Sequence, residues 1–538
     1  MAFQFKREVA ETVREWRRYY GQAKVLRWFA AILLMLVYGI RLTQGDLFID
    51  SEIMLTDPEE ILHSWYGSRR YGLVFAKRLL ALGRLAPYFS NGLLVLTLWC
   101  LTLALCFCFD YWNGRRGSGA GRSILFALFF ISSPCFVEQF NFLLQAFEIA
   151  LALLLCLAAV FCAGKRIYER KSRVWLFFSV VFMVWSFGFY QALPAFYIAL
   201  TVISYIGVSL YGEKECGFRE GISHVLWFLA GFALYCVAAR ETSRMAGADS
   251  TYVNGMFLWG KESLETCIAN LRLEFWWMYQ GNRPVFYEIW FPVTAGIASA
   301  VALLLGWCRK KRKYLCYGFA VLFLPVTPFL ITLVTGMNQP VRGQMVYPLV
   351  YAYMVMALYD GIKELAEQIT GAGRAKGMGL WVEKWIPAAV FFLWLRTGWI
   401  QCITACQLWE TAHESYVQDV LTANRLYSDI CKEAGIEQTK DCIVVFVGER
   451  GIRLSESAVT GDAIGYSFFE WDVDSVTGVN GRVHTLFETL GLEMEKPEEE
   501  EYREAVEASR LWPVWPAQGS VLKIRDGVIG VKLSEPKL

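Results

Sequence analysis

Apolar residues recur along this chain in long unbroken runs. They do not follow the alternation of a half-buried strand or the one-sided stripe of a soluble helix. Crossing a bilayer core takes about 20 such residues. Eleven runs approach that length, at 25–43, 89–109, 122–138, 141–163, 174–190, 193–211, 222–240, 286–307, 314–334, 343–359 and 385–405. Each predicts a helix, because a helix satisfies all its backbone groups within one segment when no water is present. The fold class expected is therefore an α-helical polytopic membrane protein of about eleven transmembrane helices.

The pattern changes after residue 405. "DCIVVFVG" (441–448) reads as a strand, and an acidic helix-like stretch runs from Glu493 to Arg510. "SVLKIRDGVIGVKL" (520–533) places Asp526-Gly527 between two alternating segments, a hairpin signal. Residues 406–538 are thus expected to form a small α/β domain, and 25–405 the transmembrane domain. Residues 1–24 form a charged amphipathic segment. No small-residue cleavage site follows its apolar run, so it reads as a retained anchor and not as a cleaved signal.

Lys and Arg set the orientation. Lys6, Arg7, Arg14, Arg17, Arg18, Lys24 and Arg27 predict a cytoplasmic N-terminus. Alternation then puts "NGRRGSGAGR", "GKRIYERKSR" and "CRKKRK" on the same side, and the C-terminus outside. Three pieces are left on the outer side: a first loop of 44–88, a second of 241–285, and the C-terminal domain.

Composition agrees. The 538 residues are 56% hydrophobic and only 19% charged, against roughly 25% charged in soluble proteins. The net charge of +2 gives no sign of a nucleic-acid partner. No N-x-S/T sequon occurs, which points to a bacterial plasma membrane and away from the secretory pathway. Most of the 15 cysteines lie within apolar runs; Cys267, Cys431 and Cys442 are expected to see water, and Cys431 and Cys442 are the pair that could bridge.

Candidate chemistry concentrates on the outer side. "GDLFIDSEIMLTD" (45–57) brings Asp46, Asp50, Glu52 and Asp57 just past the first span. Asp57, Glu59 and Glu60, beside Pro58, read as a solvated loop. Asp50 and Glu52 sit among Phe48, Ile49, Ile53 and Met54, and carboxylates in apolar surroundings become better bases. "HSWYGSRRYGLVFAKRLL" (63–80) supplies Trp65 and the pair Arg69 and Arg70, whose planar forks suit a phosphate. Its Lys77 and Arg78 read as snorkelling cations of an interfacial helix. "SPCFVEQFNFLLQAFE" offers Glu138, Gln139, Gln145 and Glu148; "SFGFYQALP" offers Tyr190 and Gln191; "GMNQPVRGQM" offers Arg342; and Arg396 interrupts the last span. Ionisable groups at membrane depth are costly and mark function by default. No Walker loop, HExxH or G-x-S-x-G occurs, and the four histidines are scattered, which argues against ATP hydrolysis, zinc-protease chemistry and a His-activated nucleophile.

Three of these stretches carry a resemblance. "IDSE" with "WYGSRR", then "SPCFVEQF", then "GFYQAL" resemble, in order and placement, the bacterial Gtr (type II) glucosyltransferases of the C-type glycosyltransferase superfamily, which modify O-antigen and other surface polysaccharides. The family often has adjacent Asp-Asp with an Arg three residues on; here Ser51 separates Asp50 from Glu52. The resemblance implies a hexose, glucose first, moved from a polyprenyl-phosphate donor to a surface glycan, by inverting single displacement on the extracytoplasmic face. It implies Asp50 as base with Glu52 as helper, and Arg69, Arg70 and Arg342 on the donor phosphate. Asp46, Trp65, Glu138, Tyr190, Gln191 and Arg396 are the further candidates for lining the cavity. Some relatives use a divalent cation (Mg or Mn), for which Asp50 and Glu52 would be the oxygen ligands. Two rivals differ in kind. A lipid-linked sugar flippase requires polar residues through the full membrane depth. A non-enzymatic anchor would use the C-terminal domain to bind glycan, with Trp512 and Trp515 as stacking surfaces or as a packed lid on the hairpin.

Overall fold

The computed structural model describes residues 2–115, 119–212, 216–249, 251–281, 290–371, 378–435 and 439–536. Residues 286–289 of the eighth expected span and 116–118 of the first basic loop lie outside them. Among the described residues eight helices are long and apolar enough to cross a membrane, or nine if one bent pair counts as a span. The expected count of eleven is therefore not reproduced. The bent pair is Ala120–Ile131 and Pro134–Asn141, at 44° to each other. Pro134 forces the preceding residue out of helical geometry. Gln401 Nε2 donates to the carbonyl of Phe129 (2.9 Å), which the break frees, and to Ser132 Oγ (3.1 Å). Val174–Phe187 is apolar but has only 14 residues. Val346–Gly371 is helical at the tenth expected span, yet is not among the eight.

The last span does not stop at 405. Met378–Ala434 is one helix of 57 residues, about 85 Å long at 1.5 Å per residue. Apolar residues carry its first half; its second half forms one wall of the C-terminal domain. That domain holds a three-stranded sheet of β1 (Ile443–Val447), β2 (Val521–Arg525) and β3 (Val528–Lys532), in the order β1-β3-β2. β1 and β3 are parallel and β2 and β3 antiparallel. Gly527 takes φ +77° in the hairpin turn expected from Asp526-Gly527. Trp515 is buried, with its Nε1 donating to Asp429 (3.0 Å), and Trp512 covers Gly530 of β3. Trp515 packs within the domain, whereas Trp512 is half-buried. Cys431 and Cys442 are both free thiols, and Cys267 and Cys442 are buried, against expectation.

Two features of this domain bring it against the membrane helices. Helix Asn480–Thr489 is pinned to the open edge of β1, where the Asn480 side chain accepts from Phe446 N (2.8 Å) and donates to Phe446 O (2.7 Å). The loop 461–464 reaches from the domain to the bent pair. The first loop, 44–88, folds into three short helices, Ser51–Thr56, Pro58–Gly67 and Tyr71–Leu79. Pro58 starts the second of these, and the Asp57 carboxylate accepts from Glu60 N (3.1 Å).

Candidate active site

Asp50 caps the helix Ser51–Thr56 with a left-handed backbone, φ +70°. Such a φ is uncommon outside glycine, although Asp adopts it more readily than most. Its side chain is 41% exposed, whereas that of Glu52 is 0% exposed. Between them lies the guanidinium of Arg482, two residues into the pinned helix. Arg482 Nη1 donates to Asp50 Oδ1 (3.0 Å) and to Glu52 Oε1 (2.5 Å). Its Nη2 and Nε hold Asp472 at 2.8 and 3.0 Å. Burial pushes the Glu52 carboxyl up to about 7; Arg482 opposes this and Asp50 adds to it. Glu52 Oε2 is buried without a hydrogen-bond partner. A divalent cation between Asp50 and Glu52 would need the place that the guanidinium fills. Among the described residues no three His, Cys, Asp or Glu side chains converge as metal ligands. The arrangement does not fit the cation that the resemblance allowed.

Glu138 is fully buried in the bent pair. Its carboxylate accepts from the backbone amides of Asp462 (2.6 Å), Ala463 (3.1 Å) and Ile464 (3.5 Å). A Cβ on Gly461 would collide with Glu138 Oε1, so the amides can close on the carboxylate only because that residue is glycine. Asp462 Oδ2 in turn accepts from Val341 N (2.9 Å), one residue before Arg342. Asp46 accepts from His413 Nδ1 of the long helix at 3.0 Å.

The cations are arranged differently. Arg70 Nε donates to Gln191 Oε1 and its Nη1 to Gln145 Oε1, each at 3.4 Å, and its guanidinium lies 4.6 Å over the Tyr190 ring. This meeting of the first loop with two distant turns depends on close backbone contact: Gly72 N donates to Gly188 O at 2.8 Å, and a Cβ on Gly72 would come within 2.6 Å of Trp185 O. Arg342 lies 4.9 Å over Phe142. Phe142 and Gln145 close one turn, with Gln145 N donating to Phe142 O (3.1 Å), so the two arginines flank the same four residues. Phe142 also packs edge-on against Phe48, two residues before Asp50 (5.0 Å). Among the described residues neither Arg70 nor Arg342 has a carboxylate within ion-pair distance.

The remaining candidates divide. Trp65 is buried, and its carbonyl accepts from Arg70 N (2.7 Å). Arg69 turns away from Arg70 and donates to Asn254 (3.3 Å). Arg396 is not brought to the cluster; it is exposed on the outer face of the long helix, among exposed Phe392 and Trp399. Lys77 does not snorkel: it is buried in an ion pair with Glu148 at 2.7 Å. Arg482, Asp472 and the 461–464 amides are not among the residues that the sequence pattern singles out. The only local signal for any of them is "TGDAIG", where two glycines flank Asp462, Ala463 and Ile464.

Residues 39–359 match the family described as glucosyl transferase GtrII. The chain belongs to the GtrII family. The match covers the first loop, the bent pair and both arginine turns, and it ends before the long helix and the C-terminal domain. This GtrII protein is accordingly a membrane glucosyltransferase. None of the curated proteins and none of the solved structures matches the chain.

Proposed function

We propose that this GtrII protein transfers glucose from a polyprenyl-phosphate donor to a surface glycan on the extracytoplasmic face of a bacterial plasma membrane, with Asp50 as general base. The observation that carries the reading is the pairing of a half-exposed loop carboxylate with two arginines that have no counter-anion among the described residues. Carboxylates and arginines meet across Phe48, Phe142 and Gln145.

The chemistry divides between them. An acceptor hydroxyl is a weak nucleophile and requires a base as its oxygen attacks the anomeric carbon. Asp50 takes that proton. The bond from the anomeric carbon to the donor phosphate oxygen breaks, and the lipid phosphate leaves with the electron pair. A phosphate is a good leaving group and needs its charge met more than it needs a proton. Arg70 and Arg342 meet it. One displacement at the anomeric carbon inverts its configuration.

Two further features support the substrates. Beside Arg70, a groove lined by Tyr71, Phe75, Val181, Val184, Trp185 and Leu234 is almost wholly apolar and suits an isoprenoid tail. Beside Asp50, Trp471 packs on Phe48 (6.4 Å) and on Tyr466 (6.1 Å), which is 45% exposed. Aromatic faces next to carboxylates suit a sugar acceptor. A flippase would need its polar groups through the whole depth, whereas these gather at one end of the bundle.

The test is transfer of labelled glucose from polyprenyl-phosphate glucose in membranes holding wild type, Asp50→Asn or Glu52→Gln at equal protein level. Activity in wild type that is lost in Asp50→Asn supports the reading. Full activity in both variants removes the carboxylate loop from the mechanism.

A further inference from the structure

We propose that Arg482 is a positioning residue for glucosyl transfer: the C-terminal domain, which lies beyond the matched family region, completes the site by holding Asp50 and Glu52 in one orientation. The inference rests on the reading of Asp50 as base.

Four observations carry it. The Arg482 side chain is only 10% exposed and bridges both carboxylates through a single nitrogen. Asp472 fixes the far side of the guanidinium, so its orientation is set from within its own domain before it meets the loop. Asn480, two residues earlier, locks the helix to β1. Asp50 holds a left-handed backbone at the point of contact, and such conformations persist only where surroundings over-determine them.

A plain docking role explains this less well. Docking already has separate holds in the Glu138 cradle, the Asp462–Val341 bond and the Asp46–His413 pair. Buried ion pairs spend much of their attraction on desolvation and are weak stabilisers. What the guanidinium does supply is a permanent positive charge between two carboxylates that would otherwise repel. The charged groups facing Glu52 are Asp50 from its own turn and Arg482 from helix Asn480–Thr489, with Asp472 behind Arg482. Removing Arg482 leaves Glu52 beside Asp50 with no cation, and Glu52 then keeps its proton to higher pH.

The experiment measures glucose transfer by the full-length protein, as kcat, donor KM and pH profile, in wild type, Arg482→Lys, Arg482→Gln and Asp472→Asn. Domain docking is read in parallel by limited proteolysis. Misplacing a reacting group by about 1 Å costs about a hundredfold, so Arg482→Gln is expected to lower kcat by about that factor with donor KM unchanged. The acid limb of its pH profile moves upward, and Arg482→Lys restores part of both. Unchanged kcat and pH profile in Arg482→Gln, with activity lost in Asp50→Asn, overturns the positioning role and leaves the function standing. Activity kept in Asp50→Asn sinks the function and the inference with it. A rise in activity in Arg482→Gln also overturns the inference, because the contact would then be inhibitory. If Arg482→Gln loses the docked domain, Asp472→Asn decides: it frees the guanidinium without removing it, a smaller loss of kcat is expected, and wild-type kinetics overturn the proposal.

Discussion

The acidic and basic sides of the site are built on opposite plans. Asp46, Asp50, Glu52 and Glu138 all lie in the region matched to the family, and each takes its partner from beyond residue 359: His413, Arg482, or the amides of 462–464. Arg70 and Arg342 stay within the matched region and face neutral groups there, Gln145, Gln191, Tyr190 and Phe142. The carboxylates are therefore already compensated by this protein's own C-terminal part, while the arginines keep their charge for something else. On the function proposed, the anionic donor phosphate belongs on the arginine side. The carboxylate side depends on the docked domain.

The largest expected effect tests the acidic side. Asp50→Asn removes the proposed base but keeps the shape, and general-base loss costs about a hundredfold to ten-thousandfold. Transfer should fall by that factor while binding of polyprenyl phosphate is unchanged. Loss of donor binding in this variant would erase the division between the two sides.

Next comes the basic side. Hydrogen bonds to charged groups contribute about 1.5–3 kcal/mol, so Arg70→Gln or Arg342→Gln should lower kcat/KM for the donor about tenfold to a hundredfold. Arg70→Lys should not restore it, because an ammonium cannot present the planar fork. The check is donor titration with each variant. An unchanged kcat/KM in both would place the phosphate elsewhere.

The two sides differ in how far the sequence alone could reach them. Tyr190, Gln191 and Arg342 were legible because cost marks them: polar groups at the ends of apolar runs call for an explanation. Arg70 was legible as half of a paired-arginine signal in the first outer loop. The apolar runs themselves were legible because lipid imposes a local rule. The break at Pro134 and the helix that continues past 405 were not, since a bend and a change of surroundings leave the helical pattern intact. Arg482 was invisible for another reason. It meets Glu52 across 430 residues, and one arginine in a short soluble helix carries no local mark. Lys77 misled because four carbons and a charge fit both snorkelling and a buried pair, and only the position of Glu148 decides.

A smaller effect separates docking from chemistry. Gly461→Ala drives a methyl group into the Glu138 carboxylate. Overpacking of this kind costs about 1–3 kcal/mol. The variant should unfold at lower temperature in detergent and expose the far half of helix Met378–Ala434 to protease, while donor binding at Arg70 persists. A wild-type cleavage pattern and melting temperature would mean that the amide cradle contributes little to docking.

The smallest effect is a slope. In the folded protein the Glu52 carboxyl is pushed up to about 7 from its usual 4.5, chiefly by burial. Between those two values the folded state binds more protons than the unfolded chain, so stability falls as pH rises through that window. At lower pH both states are protonated and the full contribution is present; above about 7 it is gone. Glu52→Gln has no proton to lose, so its melting temperature should vary less with pH from 4.5 to 7 than that of wild type. The contrast between the two sides sharpens here, because Arg482 is what keeps this burial penalty from growing. In the Glu52→Gln, Arg482→Gln double variant the pH slope should stay as flat as in Glu52→Gln alone. A slope that returns would mean that another group, and not the carboxylate under Arg482, titrates in the site.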